Sequence, residues 1–180
     1  MMQLMPDAIT IRPARPDDAE AMAAIYRPYV LAGTETFEMV PPPPSAFADK
    51  VAQCAAKGWP FLVACLGDEV VGYTNATQFR DRDAYRYACE NSIYVKQGAH
   101  GRGIGGTMLA ALLEAAEKAG FRQMIAVISG IGTASPALHA AHGFTEAGRM
   151  RSVGRKQGRW LDTLYMQRAL GPGDTTPPDA

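Results

Sequence analysis

The sequence predicts one mixed α/β domain, a mostly antiparallel central sheet with helices on both faces. Three observations carry that prediction. Two strand-like segments, residues 61–66 and 69–78, flank Gly67-Asp68, a two-residue turn that returns the chain antiparallel. Later strand patterns alternate with helical ones, which places helical layers on both sides of a sheet. At 180 residues and 47% hydrophobic content, the chain can bury about 70% of its unfolded surface around one core.

Taken in order, residues 9–12 read as a short strand before Pro13 and Pro16. Asp17 and Glu20 have capping-box spacing, so a helix is expected there, with Met22, Tyr26, Tyr29 and Val30 on its apolar face and its end near Gly33. Residues 34–40 read as extended, and Pro41–Pro44 as a stiff polyproline connector. Ser45 is the expected cap of a second helix, which turns Phe47, Val51, Cys54 and Ala55 inward and stops at Gly58. The charged stretch 79–86 is a loop feeding a strand over 87–95. Glycines at 98, 101, 103, 105 and 106 end that strand. In the following helix Met108, Leu109, Leu112, Leu113 and Ala116 share one face, and Gly120 suits a left-handed cap. A strand over 123–129, a short helix over 135–141 and final strands near 146–154 and 160–168 complete the domain. It spans residues 9–170. Residues 1–8 and 171–180 are expected to be disordered, the latter for want of apolar content.

Formal net charge is zero, which argues against a general nucleic-acid or membrane surface and favours a small soluble partner. Cys54, Cys65 and Cys89 lie in apolar segments at no metal-like spacing and read as buried, reduced thiols. No basic region precedes an apolar stretch at the N-terminus, and no run of about 18 apolar residues occurs. A cytoplasmic protein is expected.

Strand, glycine loop and helix together aim unpaired backbone N–H groups and a helix dipole at one point, which suits phosphate. Gly101-Arg-Gly-Ile-Gly-Gly106 satisfies G-x-G-x-x-G, but the next strand, 123–129, lacks the acidic residue that a dinucleotide fold wants about 20 residues on. A Walker loop fails too, because Thr107 follows Gly106 where a lysine is needed. A plain glycine turn is the bland alternative.

A further reading takes in more of the chain. Ile93-Tyr94-Val95 running into the glycine loop and an alanine- and leucine-rich helix resembles the acyl-CoA-binding motif of the GCN5-related N-acetyltransferases. Thr34-Glu-Thr-Phe37, Phe79-Arg-Asp-Arg-Asp-Ala-Tyr-Arg86, Glu90-Asn-Ser-Ile-Tyr-Val95, Ser135-Pro-Ala-Leu-His139 with Gly143-Phe144, and residues 153–162 resemble the phosphinothricin and methionine-sulfoximine acetyltransferase branch, in family order.

That resemblance implies acetyl-CoA as acyl donor, with no metal. The strand at Ile93, Tyr94 and Val95 is expected to splay and pair with the pantetheine arm. Gly101, Arg102, Gly103, Ile104, Gly105 and Gly106 are expected to grip the diphosphate, with Gly132 and Ser135 nearby. Glu90 is the implied base, and backbone N–H groups around Tyr94 and Val95 the oxyanion donors. Strand alternation puts Cys89 on the face opposite Glu90, so direct attack is favoured over an acyl-cysteine. His139 stands where many relatives have a tyrosine acid. His139 and His142 are three apart, but no third ligand accompanies them, so no metal is expected. Gly132 replaces a usual asparagine, and His100 a usual arginine or glutamine. For the acceptor, Phe37, Arg80, Asp81, Arg82, Glu90, Asn91 and Ser92 are the implied contacts, the arginines holding a carboxylate or phosphinate through forked hydrogen bonds. The implied substrate is a small α-amino acid or analogue and the implied assembly a homodimer. A non-catalytic acyl-CoA-binding module and an acetyltransferase for another small amine or a protein N-terminus are the alternatives.

Overall fold

The computed structural model describes residues 8–178. Seven strands form one sheet: β1 (Ile9–Pro13), β2 (Phe61–Leu66), β3 (Glu69–Gln78), β4 (Ala88–Val95), β5 (Gln123–Ser129), β6 (Thr145–Lys156) and β7 (Arg159–Ala169). Their spatial order is β1-β2-β3-β4-β5-β7-β6. Every neighbouring pair is antiparallel except β4 with β5. That mixed, mostly antiparallel sheet is the one expected.

Helices α1 (Ala19–Leu31) and α2 (Pro44–Lys57) cover one face. Met22, Ile25, Phe47, Val51 and Cys54 pack there on Phe61, Val63, Cys65 and Tyr73. On the other face α3 (Ile104–Lys118) sets Leu109, Leu112, Leu113 and Ala116 against Cys89, Met124 and Ala126, and Leu138 of α4 (Ala134–Ala141) packs on the same cluster. All three cysteines are free and buried. Removing these apolar faces from water is the main stabilising term.

Several local expectations change. The N-cap position of α1 is Asp18, not Asp17 with Glu20, and its side chain closes the turn at residues 16–18 rather than capping α1 itself. Its carboxylate accepts the Arg15 N–H at 2.7 Å and both guanidinium nitrogens of Arg12 at 2.8 and 2.7 Å. Helix α2 begins one residue before Ser45: Pro43 is the N-cap and Pro44 the first helical residue, whose fixed φ and missing N–H suit that position. Ala55 is exposed. Residues 34–40 form an irregular loop, because side chains take its backbone groups: Lys156 Nζ donates to Thr36 O, and Glu38 N–H to Thr36 Oγ1. Gly58 and Gly120 stop their helices in left-handed backbone, as their positions require.

The expected disorder of residues 1–8 and 171–180 falls partly on residues 1–7, 179 and 180, outside the described residues. Residues 171–178 run as turns past Arg122, which donates to the carbonyls of Gly173, Thr176 and Pro177.

Candidate active site

Strands β4 and β5 pair only between residues 88–91 and 123–126. Beyond them β5 stays on β7, while β4 stays on β3, so the two parallel strands open into a wedge. Ladder bonds Phe79 N–H to Ala88 O and Lys96 N–H to Val71 O show that even-numbered residues of β4 turn their backbone groups to β3. Odd-numbered Ile93 and Val95 therefore turn theirs into the wedge. Tyr94 N–H belongs to the ladder, so the donors facing the wedge are those of Ile93 and Val95. An amide-bearing chain can pair there as an added strand.

At the wide end lies the glycine loop. The first intrahelical bond of α3 runs from Thr107 N–H to Gly103 O; the N–H groups of Ile104, Gly105 and Gly106 precede it, and no side chain caps them. Gly103 holds φ +78° to turn the chain into the helix. Wedge and loop line one cavity of about 570 Å³. Tyr29 spans its wall, its hydroxyl donating to Val95 O at 2.6 Å and meeting His100 Nε2 at 2.8 Å.

Side chains of β4 divide between the faces. Cys89, Asn91, Ile93 and Val95 point toward α3, and Glu90, Ser92 and Tyr94 toward α1 and α2. On the latter face a second pocket, of about 230 Å³, is lined by Tyr26, Glu38, Phe47, Lys50, Phe61, Tyr73, Asn75, Ser92 and Tyr94, with Pro42 and Ala46. Ser92 and Tyr94 border both cavities. Glu90, half-buried beside them, has its carboxyl pushed up by desolvation, against the pull of Arg80 and Lys50. It borders the larger cavity where the wedge begins.

The loop after α1 forms one wall. Thr34 sits so close to Gly130 that a Cβ there would stand 2.8 Å from Thr34 O, and a Cβ at Gly154 would overlap the Phe37 ring. Lys156, 4% exposed, donates to Tyr29 O at 3.1 Å and Thr36 O at 2.9 Å, and burial lowers its pKa. Tyr26 and Thr36 share a 2.5 Å hydroxyl contact.

The large cavity gathers Phe37, Glu90, Asn91, Ser92, Ile93, Tyr94, Val95, Gly101, Gly103, Ile104, Gly105, Gly106, Gly132, Ser135 and His139 from those singled out in the sequence. Arg102, Arg80, Asp81 and Arg82 line neither cavity. The last three are exposed, and Arg80 stacks on the Phe79 ring, 4.1 Å from its centroid. His139 is buried, its Nδ1 2.8 Å from Ser135 O and its Nε2 3.0 Å from Asn91 Nδ2. Sequence reasoning missed Lys50, Tyr73 and Asn75. The signal was the hairpin register, which sets Asn75 opposite Ser92 and Tyr73 opposite Tyr94. Among the described residues no group of three or more His, Cys, Asp or Glu side chains is placed to hold a metal, and no helix is long and apolar enough to cross a membrane.

Residues 11–165 match the family model of the acetyltransferase (GNAT) domain. The chain belongs to the GNAT acetyltransferase family. Among GNAT relatives, it is 45% identical over 173 residues to a phosphinothricin N-acetyltransferase of Alcaligenes faecalis, covering 96% of this chain and 88% of the other. It is 40% identical over 124 residues to an L-methionine sulfoximine/L-methionine sulfone acetyltransferase of Pseudomonas paraeruginosa, covering 68% and 72%. The crystal structure of a GNAT superfamily phosphinothricin acetyltransferase from Sinorhizobium meliloti in complex with AcCoA superposes with TM-score 0.92 at 44% identity, covering 95% of this chain and 93% of that one. The GNAT fold expected from the motifs is the fold observed.

Proposed function

We propose that the protein is an acetyl-CoA-dependent N-acetyltransferase acting on the α-amino group of a small amino acid or analogue, of the kind named by phosphinothricin, methionine sulfoximine and methionine sulfone. One observation carries the reading: a desolvated carboxylate, Glu90, stands at the apex of a wedge that joins a phosphate-type helix terminus to a small polar and aromatic pocket. The names of the relatives and the acetyl-CoA complex of the structural neighbour support it.

In the mechanism the diphosphate takes the N–H groups of Ile104, Gly105 and Gly106, and the pantetheine amides take those of Ile93 and Val95. Acceptor ammonium gives one proton to Glu90, whose affinity for it is raised by burial. The freed amine forms a C–N bond at the thioester carbon, and the negative charge passes to the carbonyl oxygen. The C–S bond then breaks, the attacking nitrogen gives up its second proton, and the departing thiolate takes up a proton to leave as the free thiol. Attack is direct: the Cys89 thiol lies on the opposite face, is fully buried and has its pKa pushed up to about 12. Arg80, near enough to pull on the Glu90 carboxyl, offers forked donors to the acceptor's carboxylate. Apolar Met150, Val153 and Trp160, exposed on the β6–β7 hairpin, support reading the enzyme as a homodimer, which its mass by light scattering checks.

The test is thiol release from acetyl-CoA with a panel of amino acids, sulfoximines and phosphinothricin. Wild type is expected to release thiol with at least one, and Glu90→Gln to do so far more slowly. No release with any acceptor would leave an acyl-CoA-binding module; an unaltered Glu90→Gln rate at every pH would remove Glu90 from the chemistry.

A further inference from the structure

Asn91 carries an acceptor that the protein itself leaves unpaired. It lies on the last rung that β4 shares with β5, opposite Ala126, and is 7% exposed while bordering the larger cavity. His139 fixes the orientation of its amide. The Ser135 carbonyl can only accept, so His139 Nδ1, 2.8 Å away, carries the ring proton. Burial favours the neutral imidazole, which leaves Nε2 a lone pair, and Asn91 Nδ2 donates to it at 3.0 Å. Asn91 Oδ1 is thereby turned off the ring, and it has no hydrogen-bond partner among the described residues. Buried carbonyl oxygens in that condition are rare and costly, and the residue that carries this one borders the cleft.

We infer that His139 is a positioning residue whose task is to set Asn91 Oδ1 as the acceptor for an N–H of the acyl donor's amide-bearing arm. The inference rests on the acetyl-CoA reading above. An arm paired as a strand on Ile93 and Val95 reaches Asn91 as it nears Glu90, and an amide N–H is the neutral donor such an arm brings there. The thiol S–H of free coenzyme A is the other possible donor, and it is absent from the thioester.

Calorimetric binding of coenzyme A and of acetyl-CoA, without acceptor, tests this. Asn91→Leu and His139→Leu are expected to weaken both ligands about tenfold, as loss of one neutral hydrogen bond does. The double variant should be no weaker than Asn91→Leu alone, because the two residues act through one oxygen. His139→Gln keeps an acceptor near the Nε2 position but no titratable proton, so it should bind and turn over close to wild type. Asn91→Ala, which removes the amide and adds no new acceptor, should repeat the loss if Asn91→Leu melts low. Wild-type affinity in both Asn91 variants would overturn the inference. Weakened coenzyme A with unaltered acetyl-CoA would assign the donor to the thiol and overturn the arm assignment. His139→Gln that bound normally but lost as much rate as His139→Leu would make His139 an acid and overturn its positioning role. A wild type binding neither ligand would instead sink the acetyl-CoA reading itself.

Discussion

The cavities on the two sides of β4 are made by different means. On the α3 side the chemistry is backbone: wedge-facing groups of Ile93 and Val95, and N–H groups ahead of Thr107 at the start of α3. On the α1 and α2 side it is side chain, drawn from α1, the following loop, α2, β2, β3 and β4. A backbone site depends on where φ and ψ can go and is indifferent to most side chains. A side-chain site inverts that dependence, so one sheet can keep its acyl donor while its acceptor varies.

Glu90 borders the larger cavity with its side chain on the α1 and α2 face, and its loss should be the largest effect. Glu90→Gln is expected to lower kcat about a hundredfold or more, the usual worth of a positioned base. Wild-type rate should rise with pH through the raised carboxyl pKa, and the variant should lose that acid limb. Stability should move the other way. A folded pKa above the unfolded one means that the native state loses stability as pH climbs from the unfolded value through the folded one. Glu90→Gln escapes that loss, so it should melt above wild type at neutral pH and converge with it in acid.

Lys50 sharpens the contrast from the acceptor side. It lines only the smaller pocket and pulls the Glu90 carboxyl downward. Lys50→Met should raise the acceptor KM by about fivefold, consistent with an exposed charge worth about 1 kcal/mol, and leave the acetyl-CoA KM alone. Removing the cation removes a lowering influence on Glu90, so the acid limb of the pH profile should move to higher pH. An unmoved limb would separate Lys50 from the base.

Legibility in the sequence followed the same division. The glycine loop, the hairpin at Gly67-Asp68 and the Cys89/Glu90 alternation were readable because each is a local rule about φ or periodicity. Lys50, Tyr73 and Asn75 were not, because they meet only when α2 docks on the β3–β4 ladder, and register is a relation between distant segments. Spacing points to Asp17 rather than Asp18 because it cannot see Arg12 across the turn. Residues 34–40 read as extended because the tie that shapes the loop, Lys156, lies 120 residues away from Thr36.

Two glycines test the division with the smallest substitution available. Gly103 sits at φ +78° with open space around a Cβ, so Gly103→Ala meets no clash but strains the backbone by about 1 to 2 kcal/mol. Its cost should appear as a lower melting temperature and a several-fold rise in the acetyl-CoA KM, with the acceptor KM unmoved. Gly154 is the reverse, with ordinary φ and a Cβ that would overlap the Phe37 ring. Phe37 is 39% exposed and the overlap is with the outer end of its ring, so the side chain can swing aside. Although Phe37 borders the larger cavity, the contact implied for it is with the acceptor, so Gly154→Ala should cost less than about 1 kcal/mol of stability, raise the acceptor KM only a few-fold and spare acetyl-CoA. If each alanine raised both KM values equally, the two cavities would be one mechanical unit, and the separation of donor from acceptor across β4 would fail.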